Sequence, residues 1–388
     1  MGKNAKSSFI LLWLLLSILL ILGGGTYYQY EKKLIIADSY NDLKSIADEK
    51  TNLILQWRKE RVDNTRSISY SPFFVEAVTK WMKNKNDYPL KEQIIKRLLL
   101  VKENNGYENV ILASNNGNIL ISLDKKIDKL DLTTFSYFNS TYLNKEVVLS
   151  DFYKHYPNNK IYLNVIAPIV NDKGHVVAMF ICFIDPNDYL FPLIQSWPTV
   201  SKTAETLLIK KENNNILYLN ELRHKKNTAL SFKIPLTQNN LPAVKAIVYK
   251  GSFEGIDYRG KDVLADLRPI EGTNWYMVTK VDADEILFEL SYRTYVIGGF
   301  IIILIILSFS GAAFVYRSRQ KNYYRELFYK EKALRAAQEE FRTTLYSIGD
   351  AIITVTTSGM IKQMNPIAEM LTGWNEDEAS GKPVEEVS

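Results

Sequence analysis

Two stretches of the chain are apolar throughout and contain no charged residue. They cover residues 7–30 and 294–316. Each exceeds the roughly 20 residues that a helix needs to cross the hydrocarbon core of a bilayer, where a helix satisfies its own backbone hydrogen bonds. The pattern therefore predicts two transmembrane helices, with the lipid bilayer as a partner of the protein.

Both stretches have an alternative interpretation. Lys3 and Lys6 before an apolar run are also typical of a cleaved signal peptide. That run is long, however, and residues 23–25 offer no clean cleavage site, so we favour an uncleaved anchor. For the second stretch the alternative is a buried core helix. A helix that is apolar on every side over this length has no polar face to show to water, which argues against that alternative.

The flanking charges predict the orientation of both helices. Lys3 and Lys6 precede the first helix, basic residues at 317–325 follow the second, and acidic residues at 282–289 lie on its other side. Basic residues collect on the cytoplasmic side of a membrane. We therefore expect residues 1–6 and the C-terminal part in the cytoplasm and residues 31–290 outside it, in a two-helix protein of the cell membrane.

Residues 31–70 predict a long stalk helix. Apolar side chains recur there at three- and four-residue spacing, and neither Gly nor Pro interrupts the run before Pro72. They are Ile36, Tyr40, Leu43, Ala47, Ile54 and Trp57. At 1.5 Å per residue, a helix of about 35 residues reaches about 50 Å, which suits a stalk that carries a folded domain.

Short β-rich runs then alternate with turn signals, and a hairpin–connection–hairpin order occurs twice. Turns such as Asn115-Asn116-Gly117 between apolar runs predict β-hairpins. The strand pairs are residues 109–113 with 118–123, 161–170 with 175–184, 205–210 with 216–220, and 263–269 with 275–281. The repeated order predicts an α+β fold with two tandem modules, a distal module at residues 71–198 and a proximal module at residues 199–290.

The segments that connect the hairpins differ in composition. Residues 125–157 of the distal module are rich in Tyr, Asn and Ser, which predicts a long functional loop and argues against disorder. Their counterpart in the proximal module, residues 227–257, contains Pro235, Pro242 and mostly aliphatic residues. We therefore expect the second segment to serve packing.

Residues 31–290 resemble a double Cache domain. The similar stretches are FPLIQSWP at residues 191–198, NELRHK at 220–225 and FEGIDYRG at 253–260, which look like parts of the extracytoplasmic regions of bacterial and archaeal sensor kinases. In double Cache proteins a long helix carries two PAS-like modules, and the distal one usually holds the ligand between its sheet and a covering loop. The resemblance implies a small extracytoplasmic ligand at the distal module.

The resemblance also points to four candidate ligand contacts. Tyr153, Tyr162 and Asn164 offer hydroxyl and amide groups, and Asp185 stands where amino-acid-binding Cache domains place a carboxylate for the ligand ammonium. Each has a structural alternative, because Tyr in a strand commonly packs and Asp before Pro186 commonly caps a turn. The Arg-x-Trp-Tyr element of the amino-acid class is missing from the distal module, which argues against an amino-acid ligand.

A heptad pattern follows the second apolar stretch. Leu327, Leu334, Phe341 and Ile348 recur every seven residues among mostly charged positions. This narrow seam predicts a two-stranded coiled coil at residues 317–346 and hence a homodimer. The alternative is a single solvated amphipathic helix.

Residues 347–388 resemble the N-terminal part of a PAS domain. The motifs are SIGDAII at residues 347–353, a turn at Ser358-Gly359, and a helix that starts at Asn365-Pro366 and ends in LTGW. Asn365 is expected to cap that helix, with Pro366 in its first turn. The resemblance stops before the strands that complete such a sheet, so we expect either a fragment or an incomplete module. Neither Cys nor His follows Arg317, which predicts a structural or relay PAS domain without a cofactor.

Signatures of catalysis are missing from the sequence. His155, His175 and His224 lie too far apart for a metal motif, and Cys182 has no second cysteine for a disulfide, so we expect it to be a buried inert thiol. Glu221-Leu222-Arg223-His224 superficially resembles a phosphoacceptor box in the wrong order, which predicts a turn there. P-loop and GxSxG motifs are missing too. We expect no catalytic residue and no metal, and the net charge of +5 predicts no nucleic-acid partner.

Together these features predict a transmembrane receptor that senses an extracytoplasmic small molecule and relays the signal to a cytoplasmic PAS and output module. We favour a sensor histidine kinase of a two-component system, with a response regulator as downstream partner. The alternatives are a stand-alone membrane binding protein without output, the input half of a diguanylate cyclase, and a chemoreceptor. The last is weakened because chemoreceptors usually lead from the membrane into a long helical hairpin.

Overall fold

The computed structural model describes residues 3–124, 127, 129–155 and 159–387, with the backbone alone for residues 3–10 and 12. The helices are α1 (Lys3–Ser69), α2 (Pro72–Lys83), α3 (Tyr88–Asn105), α4 (Leu132–Asn144), α5 (Leu190–Gln195), α6 (Pro242–Lys245), α7 (Ala283–Ser347), α8 (Pro366–Thr372), α9 (Glu376–Ala379) and α10 (Val384–Val387). The strands are β1 (Asn109–Ala113), β2 (Ile119–Ser122), β3 (Val148–Leu149), β4 (Tyr153–Lys154), β5 (Ile161–Val170), β6 (Val176–Ile184), β7 (Glu205–Glu212), β8 (Asn215–Tyr218), β9 (Lys233–Pro235), β10 (Gly251–Ile256), β11 (Asp262–Pro269), β12 (Trp275–Asp282), β13 (Ile353–Val355) and β14 (Ile361–Met364). The chain divides into two compact units, residues 22–296 and residues 1–21 with 297–388.

The predicted stalk is confirmed as a helix, because α1 is continuous from Lys3 to Ser69. Leu43, Ala47, Ile54 and Trp57 of the predicted apolar stripe are buried. The helix ends ahead of Pro72, which begins α2 and disfavours helical backbone in the residue before it.

The distal module is built on an antiparallel sheet in the order β2-β1-β6-β5-β3, with β4 also paired to β5. Both predicted hairpins are present, β1 with β2 and β5 with β6. On one face, Ile166 and Phe183 pack with Phe138 of α4. On the other, Val165 and Cys182 lie in a larger core that includes side chains of α2 and α3. Cys182 is buried, as predicted, and burial raises the pKa of its thiol.

The prediction of a loop over residues 125–157 is wrong, because α4, β3 and β4 lie within it. The buried side chains of α4 are Thr134, Phe138 and Thr141. With two threonines in this stripe, apolar periodicity does not reveal the helix. Residues 125, 126, 128, 156 and 157 of this segment lie outside the described residues.

The proximal module has a six-stranded antiparallel sheet in the order β10-β11-β12-β7-β8-β9. Its two predicted hairpins are present as well. The segment at residues 227–257 supplies β9, α6 and β10, and its Ala243 and Val244 lie in the module core, as expected for a packing segment. His224 lies in the predicted turn, which Leu222 and Lys225 bridge. The last strand, β12, runs directly into α7.

In the described part of the chain, α7 is the one helix long and apolar enough to cross a membrane by length and composition. It contains the second predicted span, residues 294–316. The first predicted span, residues 7–30, is helical within α1, but its side chains are described only in part and its role in the membrane stays a prediction. Leu327, Leu334 and Phe341 are exposed on α7, and Ile348 follows the helix end, so the coiled coil also stays a prediction.

The C-terminal segment folds as two short antiparallel strands followed by three short helices. The predicted turn joins β13 to β14, with Gly359 at a φ of 77° that favours glycine. Asn365 caps α8, as predicted, by accepting a hydrogen bond from the backbone N–H of Ala368 at 3.0 Å. Ile361, Met364 and Ala368 form a small buried cluster with Ala379 and Val387.

Candidate functional site

Asn164 is the centre of a polar cluster between the sheet and α4. It lies in β5 and is fully buried. Its backbone is paired with Ser150, whose N–H donates to the Asn164 carbonyl at 2.7 Å and whose hydroxyl accepts from the Asn164 N–H at 2.8 Å. The side-chain amide nitrogen donates to the hydroxyl oxygens of Thr134 and Tyr153, both at 2.7 Å. Two of the predicted contacts, Tyr153 and Asn164, are thus brought together.

The amide of Asn164 is not fully satisfied. Among the described residues its Oδ1 has no hydrogen-bond partner. Rotating the amide by 180° would let the Tyr153 hydroxyl donate to the oxygen, but the Thr134 hydroxyl already donates to Asp131, and the amide nitrogen would have no partner among the described residues. In either orientation one polar atom of a fully buried side chain lacks a partner among the residues that the structure describes, which costs free energy unless another group binds there.

Asp131 organises the other side of the cluster. Its carboxylate caps α4, accepting from the Thr134 N–H at 2.9 Å and from the Thr134 hydroxyl at 2.7 Å. Because the Thr134 proton points to Asp131, the Thr134 oxygen is left to accept from Asn164. Burial first, and then the charge of Asp131, raise the pKa of Tyr153. Tyr153 is therefore a neutral phenol that can donate a hydrogen bond at physiological pH.

His155 adds a second unsatisfied atom. It is buried, its Nδ1 lies 3.9 Å from Asp131 Oδ2, and that nitrogen has no hydrogen-bond partner in the described part of the chain. The ring centroid of Tyr162 lies 5.9 Å from that of Phe183, 6.0 Å from that of His155 and 6.3 Å from that of Tyr153. The predicted Tyr162 therefore forms an apolar wall of the same cluster.

Asp185 is engaged elsewhere. Its Oδ1 accepts from the backbone and side-chain nitrogens of Asn187 at 2.9 and 2.8 Å. This geometry is that of an Asp that caps a turn, the alternative role predicted for an Asp before Pro186. Its Oδ2 lies 3.9 Å from the ammonium group of Lys160. Asp185 follows the end of β6, so it stands at the rim of the sheet.

Sequence reasoning missed Asp131, Thr134 and His155. A helix cap was available as a signal, because Asp131 precedes Leu132-Thr133-Thr134 at the spacing by which Asp accepts from a backbone N–H in the first turn. His155 was considered only as a metal ligand, and sequence spacing does not reveal that β4 brings it beside Asp131.

A groove of about 760 Å³ lies in the proximal module, lined among others by Asn239, Asn240 and Tyr258. Beside it, the ammonium group of the buried Lys280 lies 2.9 Å from carboxylate oxygens of Glu205 and Asp257. Burial raises the pKa of Asp257, but the charge of Lys280 together with hydrogen bonds from Lys280 and Arg259 lowers this pKa overall. Because these buried charges are paired with one another, they need no ligand as a counter-charge.

Comparison with known proteins gives two family matches. The model of the Cache domain matches residues 32–290 and the PAS fold matches residues 339–388. The probable diguanylate cyclase DgcE of Escherichia coli K12 is 40% identical over 53 residues, which are 14% of this chain and 5% of that protein. The chain thus spans about 5% of the length of that curated relative.

Solved structures with a similar shape are ligand-binding domains of chemoreceptors. That of Campylobacter jejuni Tlp3, in complex with 4-methylisoleucine, is 15% identical, with a TM-score of 0.48 over 65% of this chain and 94% of that chain. That of Pseudomonas aeruginosa PAO1 PctB, in complex with L-Arg, is 13% identical, with a TM-score of 0.45 over 64% of this chain and 97% of that chain.

Proposed function

The chain belongs to the Cache domain family, and from this premise we propose that it is a transmembrane receptor whose distal module binds a small polar molecule outside the cytoplasm. The observation that carries the proposal is the fully buried, incompletely paired amide of Asn164 beneath α4. A ligand group that pairs with this amide removes the cost of the unpaired atom.

The surrounding residues define the ligand further. Asn164 and His155 offer polar atoms that have no partner in the described part of the chain, Tyr153 offers a neutral hydroxyl, and Tyr162 and Phe138 supply aromatic surface. The carboxylate of Asp131 disfavours an anion in this place. The site therefore suits a neutral or cationic molecule of a few heavy atoms with at least one N–H or O–H group. Asp185 belongs to the same proposal as a rim residue that steers a cationic group.

The helix α4 is the moving part in this proposal. Asp131 caps this helix, and Thr134 in its first turn accepts a hydrogen bond from the amide of Asn164. A ligand that pairs with the amide therefore alters the contacts that hold the helix on the sheet. Binding would shift the population between two positions of α4. The signal then passes to α7, which we propose crosses the membrane at residues 294–316, with residues 7–30 as the other span and both termini inside.

For the output we propose a histidine kinase that phosphorylates a response regulator, with the coiled coil of α7 and the PAS segment as the relay in a homodimer. A diguanylate cyclase is the second candidate, favoured by the 53-residue similarity to DgcE. Activity assays on membranes that contain the natural full-length protein distinguish the two outputs. Incorporation of phosphate from ATP into the protein supports the kinase, and conversion of GTP to cyclic di-GMP supports the cyclase.

Ligand binding is tested by thermal-shift screening of the full chain in detergent against a metabolite library. Asn164→Leu should abolish the shift that a hit produces. Asn220→Leu is the matched control, because Asn220 is also fully buried but has both amide atoms paired, in the proximal module. A shift that survives Asn164→Leu and is lost on changing Tyr258 or Arg259 would place the site in the proximal module and refute the proposal.

A further inference from the structure

Four consecutive residues, Ser150 to Tyr153, contact two different places. The outer two bind Asn164, Ser150 through its backbone and hydroxyl and Tyr153 through its phenol oxygen. The inner two, Asp151 and Phe152, contact the proximal module. The segment joins β3, which ends at Leu149, to β4, which begins at Tyr153. Any displacement around Asn164 therefore acts within two residues on the contact between the modules.

Asp151 makes the polar part of that contact. Its Oδ1 accepts from the indole N–H of Trp275 at 2.7 Å, and its Oδ2 lies 2.6 Å from the ammonium group of Lys210. The side chains of Asp151 and Lys210 are 15% and 14% exposed. Charge-assisted hydrogen bonds of this length and burial are stronger than an exposed ion pair.

Phe152 makes the apolar part. Its ring centroid lies 4.6 Å from that of Trp275 and 5.7 Å from that of Phe191. The guanidinium carbon of Arg58, on the stalk helix α1, lies 4.8 Å from the Trp275 ring centroid. Trp275 is 2% exposed and belongs to one continuous core that includes residues of both modules. Its position is thus defined jointly by the distal module and the stalk.

The charge of Asp151 also acts on helix α4. Tyr137 lies on α4, and its pKa is raised first by burial and next by the charge of Asp151. On the proximal side of the contact between the modules, Trp275 is the first residue of β12. The last residue of β12, Asp282, is followed directly by α7. A strand of this length spans about 26 Å and is held on both sides by β7 and β11.

We propose that Asp151 is the positioning residue that couples the ligand site of the distal module to the proximal module and, through Trp275 and β12, to α7. The inference rests on the proposed function, since it takes the Asn164 cluster as the ligand site. When the pairing of Asn164 changes, Ser150 and Tyr153 move, and Asp151 moves Trp275 with them. We expect the contact of Asp151 and Phe152 with Trp275 to switch between discrete arrangements, as packed elements do.

The test replaces the unidentified ligand by a change in the site itself. Asn164→Ala removes the contacts to Thr134 and Tyr153 in the full chain in lipid nanodiscs, and hydrogen exchange of residues 275–282 is the readout. Exchange in β12 should become at least about fivefold faster, equivalent to ~1 kcal/mol. In the Asp151→Ala background, where the hydrogen bond from Trp275 and the ion pair to Lys210 are both lost, the same Asn164→Ala change should leave β12 exchange unaltered.

Two further variants complete the design. Trp275→Phe removes the indole N–H that donates to Asp151 and should uncouple the two modules in the same way, which covers the case that Asp151→Ala fails to fold. Glu108→Gln is the matched control, because it removes a more exposed ion pair, to Lys160, within the distal module, and should preserve the coupling. A β12 response to Asn164→Ala that persists in both uncoupled backgrounds, or that is missing in the native background, would overturn the inference. Failure of the ligand screen, by contrast, refutes the proposed function without touching this result.

Discussion

Lys50 of the stalk helix α1 donates a hydrogen bond to the Thr206 hydroxyl of β7 at 2.9 Å. The same buried ammonium group donates to the carbonyl oxygens of Ile194 and Ser196, at the end of the distal module. One stalk residue therefore holds both modules. Burial lowers the pKa of Lys50 to about 8, although the charge of Glu49 partly opposes the shift.

This pKa predicts how stability depends on pH. The unfolded chain has Lys50 at its usual pKa of 10.5, so between pH 8 and 10.5 the unfolded state binds more protons than the folded state. The free energy of unfolding should therefore rise with pH in this window, by an amount on the order of 1 kcal/mol per unit. The check is denaturant unfolding of the full chain in detergent at pH 7.5 and 10.

The control for this prediction is a pair of variants on the same helix. The contribution should vanish in Lys50→Met and persist in Lys59→Met, because Lys59 is exposed. An equal pH dependence in all three proteins would show that Lys50 is not its source.

A second prediction concerns the contact between α4 and the β1–β2 turn. A Cβ added at Gly117 would lie 2.9 Å from the ring of Phe135 on α4. Gly117→Ala should destabilise the protein by the cost of a positive φ and, in addition, by roughly 1 kcal/mol of overpacking. Gly174→Ala measures the cost of the positive φ alone, since Gly174 has a similar φ of 76° and open space around its Cβ position. Equal losses of stability in the two variants would mean that α4 does not press on this turn.

Part of the fold and of the candidate site could be predicted from the sequence. The hairpins were predictable because Asn-Gly and Asp-x-Gly turns and alternating apolar runs are local signals. Tyr153, Tyr162 and Asn164 were chosen as candidates because a resemblance implies a ligand near them, and their role as ligand contacts stays a prediction. Helix α4 was not found, because Thr134 and Thr141 face inward where a pattern search expects apolar residues. The position of His155 beside Asp131 depends on strand pairing between distant residues, which no local pattern encodes.

A third prediction concerns membrane topology. Reporter fusions after residue 31 and after residue 325 should report the outside and the inside of the cytoplasmic membrane, respectively. The physical reason is the excess of Lys and Arg before residue 7 and after residue 316. Cytoplasmic signals from both fusions would contradict the orientation of the sensor domain.

A fourth prediction concerns dimerisation through α7. Leu334→Lys should weaken self-association of the full chain at least about tenfold, because a charged group in the seam of a coiled coil costs more than ~1.4 kcal/mol. Ala336→Lys adds the same charge on the opposite side of the helix and should leave self-association unchanged. The dimer fraction is measured by light scattering across a range of protein concentrations in detergent. Equal effects of the two lysines would favour the single solvated helix.

The most direct measurement is the location of ligand protection in the full chain. Hydrogen exchange is followed in lipid nanodiscs with and without a hit from the thermal-shift screen. The account predicts slower exchange in residues 132–144 of α4 and in residues 150–164, with no change in residues 232–241 beside the proximal groove. Protection of residues 232–241 with α4 unchanged would contradict it.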